Sequence, residues 1–202
     1  MKIKICGVSN VGDALKISES GADYVGLIFA EKSPRLVSES EARAIASAGL
    51  SAKLVGVFVD SPAEFVRRAV GEYALAAVQL HGSENADYIK SLRGCGAEIW
   101  RAVWLSSRED VAAAAEIECG KLVVDSSRGA SRGGTGLTAN WDLARELASV
   151  RDVFLAGGIS FANARAAAEL VAPCGLDLNS AVEISPRKKD TDLISKYLKT
   201  IK

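Results

Sequence analysis

The feature that most constrains this chain is an alternation. A short apolar run, a polar loop, a helix-capping signal and a stretch of 3.6-residue hydrophobic period recur eight times along the 202 residues, with no segment left for a second domain. Residues 2–6, 23–29, 53–59, 76–80, 98–103, 121–125, 153–156 and 176–179 read as the strands. Apolar runs of this length between turn signals suit strands buried on both faces, and strict strand–helix alternation argues for a parallel sheet. Eight such units argue for closure into a single (β/α)8 barrel (a TIM barrel) spanning 1–202, with an open doubly wound sheet as the alternative.

Helix starts are marked locally. Asn10 and Asp13 open the first helix, and Ser38 with Glu41 forms a capping box for the second. Ser61-Pro62-x-Glu64 reads as an N-cap, a proline at the first helical position and the box glutamate. Ser160 reads as the cap of the seventh helix. The sixth helix is delayed to about Asn140 by a loop with four glycines and two arginines, Arg128 and Arg132. That loop matches no nucleotide-binding fingerprint.

Composition narrows the partners. The formal net charge is zero, and Arg187-Lys188-Lys189, the densest basic cluster, reads as a solvated loop, so neither nucleic acid nor a membrane surface is expected. No apolar run reaches the length of a membrane span and no signal peptide is evident. Cys6, Cys95, Cys119 and Cys174 lie far apart and there is one histidine, which argues against a metal site or redox motif and for a reducing cytoplasm. No cofactor is expected.

In a barrel of this kind catalytic groups gather where the strands end, because the loops there form one mouth. The strand ends supply Cys6, Arg35 (shortly after the second strand), His81, Asp125, Gly157-Gly158 and Asn179-Ser180. Side chains alternate along a strand, so Lys4 shares the interior face with Cys6, and Asp177 shares one with Asn179. Arg101 is expected to point inward as well, giving an interior in which Lys4, Arg101, Asp125 and Asp177 pair their charges. Each residue also has a plain structural reading: Cys6 as core, Asp125 as an acceptor for loop amides, Arg35 as a solvated loop residue, His81 as a packed side chain. Small residues at Gly157, Gly158, Ser180 and Ala181 fall in the two loops where phosphate-binding barrels hold the anion.

Taken in order, several motifs resemble those of the phosphoribosylanthranilate isomerase family of tryptophan biosynthesis. They are Lys4-Ile-Cys-Gly-Val-Ser-Asn10, Gly21-Ala-Asp-Tyr-Val-Gly26, Lys32-Ser-Pro-Arg35, Val55-Gly-Val-Phe-Val59 and Val78-Gln-Leu-His-Gly82. Gly133-Gly-Thr-Gly136, Leu155-Ala-Gly-Gly158 and Gly175-Leu-Asp-Leu-Asn-Ser-Ala-Val-Glu183 complete the set. The resemblance implies a (β/α)8 isomerase that performs an Amadori rearrangement on a small phosphorylated substrate, as a cytoplasmic monomer or homodimer. It implies Asp125 as general acid, Cys6 as general base, with Lys4 favouring its thiolate, and Arg35 as the holder of the anthranilate carboxylate. Gly157, Gly158, Ser180 and Ala181 fall at its phosphate site, with Lys4, His81 and Asp177 in support. Two departures stand out: Val8-Ser9 replaces a more usual Ile/Leu-Thr, and Ala181 replaces the glycine that generally follows the serine. Another phosphosugar barrel, or a silent barrel that only binds a phosphorylated metabolite, remains the alternative; inward Cys6 and Asp125 separate the last from an enzyme.

Overall fold

The computed structural model describes residues 1–125 and 140–201. Its strands are β1 Lys2–Cys6, β2 Tyr24–Ile28, β3 Lys53–Phe58, β4 Ala77–Leu80, β5 Glu98–Val103, β6 Lys121–Val124, β7 Val153–Leu155 and β8 Gly175–Leu178. Each is followed by a helix: α1 Val11–Glu19, α2 Glu39–Ala46, α3 Ala63–Glu72, α4 Ala86–Ser91, α5 Arg108–Ala115, α6 Trp141–Ala148, α7 Ala164–Val171 and α8 Thr191–Ile201. The strands run parallel in sequence order and close into a barrel through β1 and β8, where Lys4 pairs with Asp177. The alternation therefore does build a (β/α)8 barrel. A short antiparallel hairpin, β9 Glu183–Ser185 and β10 Lys188–Lys189, is inserted before α8.

The period-two alternation of each strand sorts side chains into two cores. Ile3 and Ile5 face outward and pack with Ala14 and Ile17 of α1 in the layer between sheet and helices. The bore holds Val55, Ala77, Trp100, Ala102, Val123 and Phe154. Trp100 takes the inward position on β5, so its neighbour Arg101 faces the other way, contrary to expectation. The Arg101 guanidinium donates to Leu80 O and Gly82 O at 3.0 and 2.9 Å and meets Glu84 at 3.3 Å, bracing the β4–α4 loop.

Caps behave as the short-range signals predict at α1 and α2. Asn10 Oδ1 accepts from Asp13 N, and Ser38 with Glu41 forms the full capping box. Asn140 caps α6. Two expectations fail. Ser61 does not cap α3: the N-cap is Pro62, with no side-chain cap bond, because the Ser61 hydroxyl turns back to Val59 O. Ser160 does not cap α7 either; a turn intervenes and the helix begins after Asn163, whose Oδ1 accepts from Ser160 N at 2.8 Å.

Candidate active site

The strand ends at the C-terminal mouth bring the candidate residues together. Lys4 is fully buried, and its Nζ donates to Asp177 Oδ2 at 2.7 Å across the β1–β8 seam. Asp177 Oδ1 is also buried and has no hydrogen-bond partner among the described residues. Burial opposes the charge on Lys4, but Asp177 and Cys6 outweigh it and raise Lys4 above its ordinary value. Cys6, one turn of the pleat further along β1, is buried against Ile28 and Val57. Burial pushes its thiol up, and the attraction of Lys4 and Lys189 recovers only part of that. The expectation that Lys4 favours the thiolate is thus right in sign and outweighed in size.

A second group faces this pair from β4 and β6. Gln79 Nε2 lies 3.0 Å from His81 Nδ1, and with Gln79 donating, the imidazole keeps its own proton on Nε2. That nitrogen is 3.6 Å from Asp125 Oδ2, directly after β6. Burial first, and then the positive charge of Lys4, lower His81 to about 4, so the ring is neutral at physiological pH. The contact is therefore a neutral donor beside a half-buried carboxylate. Asp125 itself is fixed by its backbone, whose N–H donates to Val103 O at 3.1 Å.

Arg35 reaches the mouth from the β2–α2 loop and is not a solvated loop residue. Its Nε donates to Glu183 Oε1 and Oε2 at 2.9 and 3.0 Å and its Nη2 to Oε2 at 2.7 Å. The guanidinium stem passes over Gly7, the residue after Cys6. Gly7 has φ +74°, and a Cβ there would lie 2.8 Å from Arg35 Cδ and from Asn179 Oδ1. Only glycine accepts both that backbone and that approach.

The residue that sequence reasoning missed is Lys189. Instead of being solvated with Arg187 and Lys188, it is 2% exposed on β10. Its Nζ donates to Glu183 Oε1 at 2.7 Å, to Asn179 Oδ1 at 3.1 Å and to Asn179 O at 3.3 Å. Arg187 is also held, by Leu36 O and Glu41, and Lys189 N donates to Asp13 Oδ2 at 3.0 Å. The hairpin is thereby tied to the first turn of α1, to the β2–α2 loop and to the start of α2. Burial works against charge on Glu183, but the hydrogen bonds from Arg35 and Lys189 hold it below the usual carboxylate range. Burial lowers Lys189, against the opposing pull of Glu183. A lysine two residues after Pro186-Arg187 gives no local sign of burial, since its acceptors lie on β9 and at the end of β8.

Gly157 and Gly158 follow β7 with φ of 68° and 72°, a backbone that glycine adopts freely. Ser180 and Ala181 begin a single 3-10 turn, Ser180–Val182, after β8, the strand beside β7. The two loops are neighbours at the mouth. Arg128, Arg132 and Gly133-Gly-Thr-Gly136 lie outside the described residues. Among the described residues no group of three or more His, Cys, Asp or Glu side chains is arranged to hold a metal, and no helix is long and apolar enough to cross a membrane.

A parallel barrel whose mouth gathers a buried thiol, three carboxylates, a neutral imidazole and paired cations belongs to the acid–base class of (β/α)8 architectures. The comparisons narrow that class. The sequence pattern described as N-(5'phosphoribosyl)anthranilate (PRA) isomerase matches residues 3–200. The N-(5'-phosphoribosyl)anthranilate isomerase of Rubrobacter xylanophilus is 35% identical over 206 residues, covering 100% of this chain and 98% of that protein. The crystal structure of the Thermotoga maritima phosphoribosyl anthranilate isomerase superposes with a TM-score of 0.91 at 34% identity, covering 100% of this chain and 98% of that one. A crystal structure of a phosphoribosyl anthranilate isomerase in complex with reduced 1-(o-carboxyphenylamino)-1-deoxyribulose 5-phosphate has a TM-score of 0.85 at 33% identity, covering 98% and 97%. This chain belongs to the N-(5'-phosphoribosyl)anthranilate isomerase family.

Proposed function

We propose that this chain carries out its family's reaction with Cys6 and Asp125 as the proton-transfer pair. It is an isomerase of tryptophan biosynthesis that converts N-(5-phosphoribosyl)anthranilate to 1-(2-carboxyphenylamino)-1-deoxyribulose 5-phosphate by an Amadori rearrangement. Asp125 protonates the furanose ring oxygen; the C1–O bond breaks and the nitrogen lone pair forms the C1=N Schiff base. Cys6, as thiolate, removes the C2 proton, and the C–H electrons move to give an enolamine that tautomerises to the ketone. Lys4 offsets part of the burial penalty on that thiolate, Asp177 holds Lys4, and His81 holds the acid. Arg35 takes the anthranilate carboxylate, and the backbone at Gly157, Gly158, Ser180 and Ala181 takes the phosphate. Ala181 in place of glycine still donates its N–H. The reading includes a single barrel domain over 1–202, working in the cytoplasm as a monomer or homodimer without a cofactor.

The observation that carries it is that Cys6, at the end of β1, and Asp125, directly after β6 and 119 positions further on by its numbering, lie at one mouth with a buried ammonium beside the thiol. The test is the loss of substrate fluorescence on freshly generated N-(5-phosphoribosyl)anthranilate. Asp125→Asn and Cys6→Ala are each expected to lower kcat by about a thousandfold or more, equivalent to ~4 kcal/mol of barrier, with unchanged circular dichroism. Near-normal turnover in either variant removes that residue from the mechanism.

A further inference from the structure

The Arg35 cluster carries a charge imbalance that the reaction scheme does not use. Arg35 and Lys189 both bind Glu183, so two cations share one carboxylate and the cluster holds one net positive charge. Lys189 is an ammonium in this geometry, since three acceptor atoms, Glu183 Oε1, Asn179 Oδ1 and Asn179 O, surround its three donors. The Glu183 and Lys189 side chains are 4% and 0% exposed, so bulk water does little to screen the pair. Without Lys189, Arg35 and Glu183 would form a neutral pair, with little attraction left for a further anion. With Lys189, Glu183 is shared and Arg35, whose side chain is 19% exposed, keeps a charge that Glu183 does not fully offset.

We propose that Lys189 is a specificity-determining positioning residue. By offsetting Glu183 it leaves Arg35 electrostatically open to a carboxylate on the aryl amine of the substrate, and it fixes Glu183 so that the guanidinium fork is held over Gly7. The inference rests on the assignment of the substrate carboxylate to Arg35. Lys189 touches no reacting atom; its effect on the substrate carboxylate acts through Glu183, whereas its pull on the Cys6 thiol bears on both substrates alike and cancels in their ratio.

The experiment compares two substrates, made by condensing ribose 5-phosphate with anthranilate or with aniline, which lacks the carboxylate. The readout is the ratio of their kcat/KM values, a quantity that a general loss of structure does not change. Lys189→Met is expected to lower the ratio in favour of the carboxylated substrate about tenfold, mainly through its KM, and Lys189→Arg to keep it. Removing both charges, in Glu183→Gln/Lys189→Met, returns the cluster to one net positive charge on Arg35 and is expected to recover most of the ratio. A purely structural role predicts the opposite, a double variant at least as impaired as the single one. Should Lys189→Met fail to fold, the double variant decides alone: a wild-type ratio upholds the inference and a tenfold loss overturns it. Arg35→Met separates the two layers. A ratio lost in Arg35→Met but kept in Lys189→Met overturns the role of Lys189 alone, and a ratio unchanged in Arg35→Met overturns the carboxylate assignment and this inference with it.

Discussion

The two ends of the barrel use the same strands for opposite purposes. At the N-terminal end the bore is filled with rings: Trp100 stacks on Phe154 at 4.8 Å, and Tyr24 meets both edge-on at 5.0 and 5.7 Å. The charges there close on one another, with Glu98 accepting from Lys121 Nζ at 2.7 Å and Trp100 Nε1 at 2.8 Å. At the C-terminal end the bore holds Lys4, Asp177, His81 and Asp125, and the surrounding loops add Arg35, Glu183 and Lys189. Groups like these are expensive to bury and gain little net stability even when paired. Aromatic packing stabilises strongly and carries no charge. The difference teaches where each end draws its tolerance from: the ring plug supplies stability that the mouth gives up for chemistry.

That division can be broken from either end. The largest effect is expected from Trp100→Ala, which opens a cavity in the plug and should lower the free energy of unfolding by about 3–5 kcal/mol in a denaturant titration. The folded fraction should keep kcat within about threefold. A hundredfold fall in kcat at near-normal stability would show that the ends are not separate. Next comes Gly175→Ala, at the start of β8. A Cβ there would collide with Phe154 Cε1, so the plug must shift, at about 1–3 kcal/mol read as a lower Tm. An unchanged Tm would mean that the plug is loosely packed.

The smallest effect belongs to the mouth and depends on pH. His81 is lowered to about 4 by burial, from 6.5 in the unfolded chain. Between those values the unfolded state binds the extra proton, so the stability contributed by keeping His81 neutral is present above about pH 6.5 and lost as pH falls toward 4. Going from about pH 7.5 to 5.5, wild type should therefore lose about 1 kcal/mol more stability than His81→Asn. Parallel curves for the two proteins would mean that the imidazole titrates normally in the folded state.

Much of this arrangement is legible from the chain alone, for a physical reason. Strand periodicity is local, so alternation along Lys4-Ile5-Cys6 suffices to turn Lys4 and Cys6 inward, and Asp177 follows from the same rule on β8. The same rule misled at Arg101, because alternation sets Trp100 and Arg101 on opposite faces of β5 without saying which face is inward, and the bulk of Trp100 took the bore. The capping signals at Asn10 and Ser38 hold because their partners lie three residues away. Arg35 and Lys189 are different in kind. Arg35 finds Glu183 148 positions away, and Lys189 owes its burial to a hairpin that no apolar period announces. A basic residue among basic residues looks solvated until the carboxylate that neutralises it is known.

The β1–β8 seam also imposes a timetable on synthesis. Lys4 and Asp177 are 173 positions apart, and at about 5–20 residues per second the ribosome delivers the second roughly 10–30 seconds after the first. Throughout that interval β1 has an open edge, and the ammonium destined for the interior has no counter-ion. The mouth consequently cannot be complete until β8 has emerged, long after Lys4 and Cys6. A nascent chain that stops short of β8 has neither the seam nor the mouth. Turnover in a cell extract thus reports only barrels that have closed, whereas an antibody against the amino-terminal strands would count the unfinished ones as well.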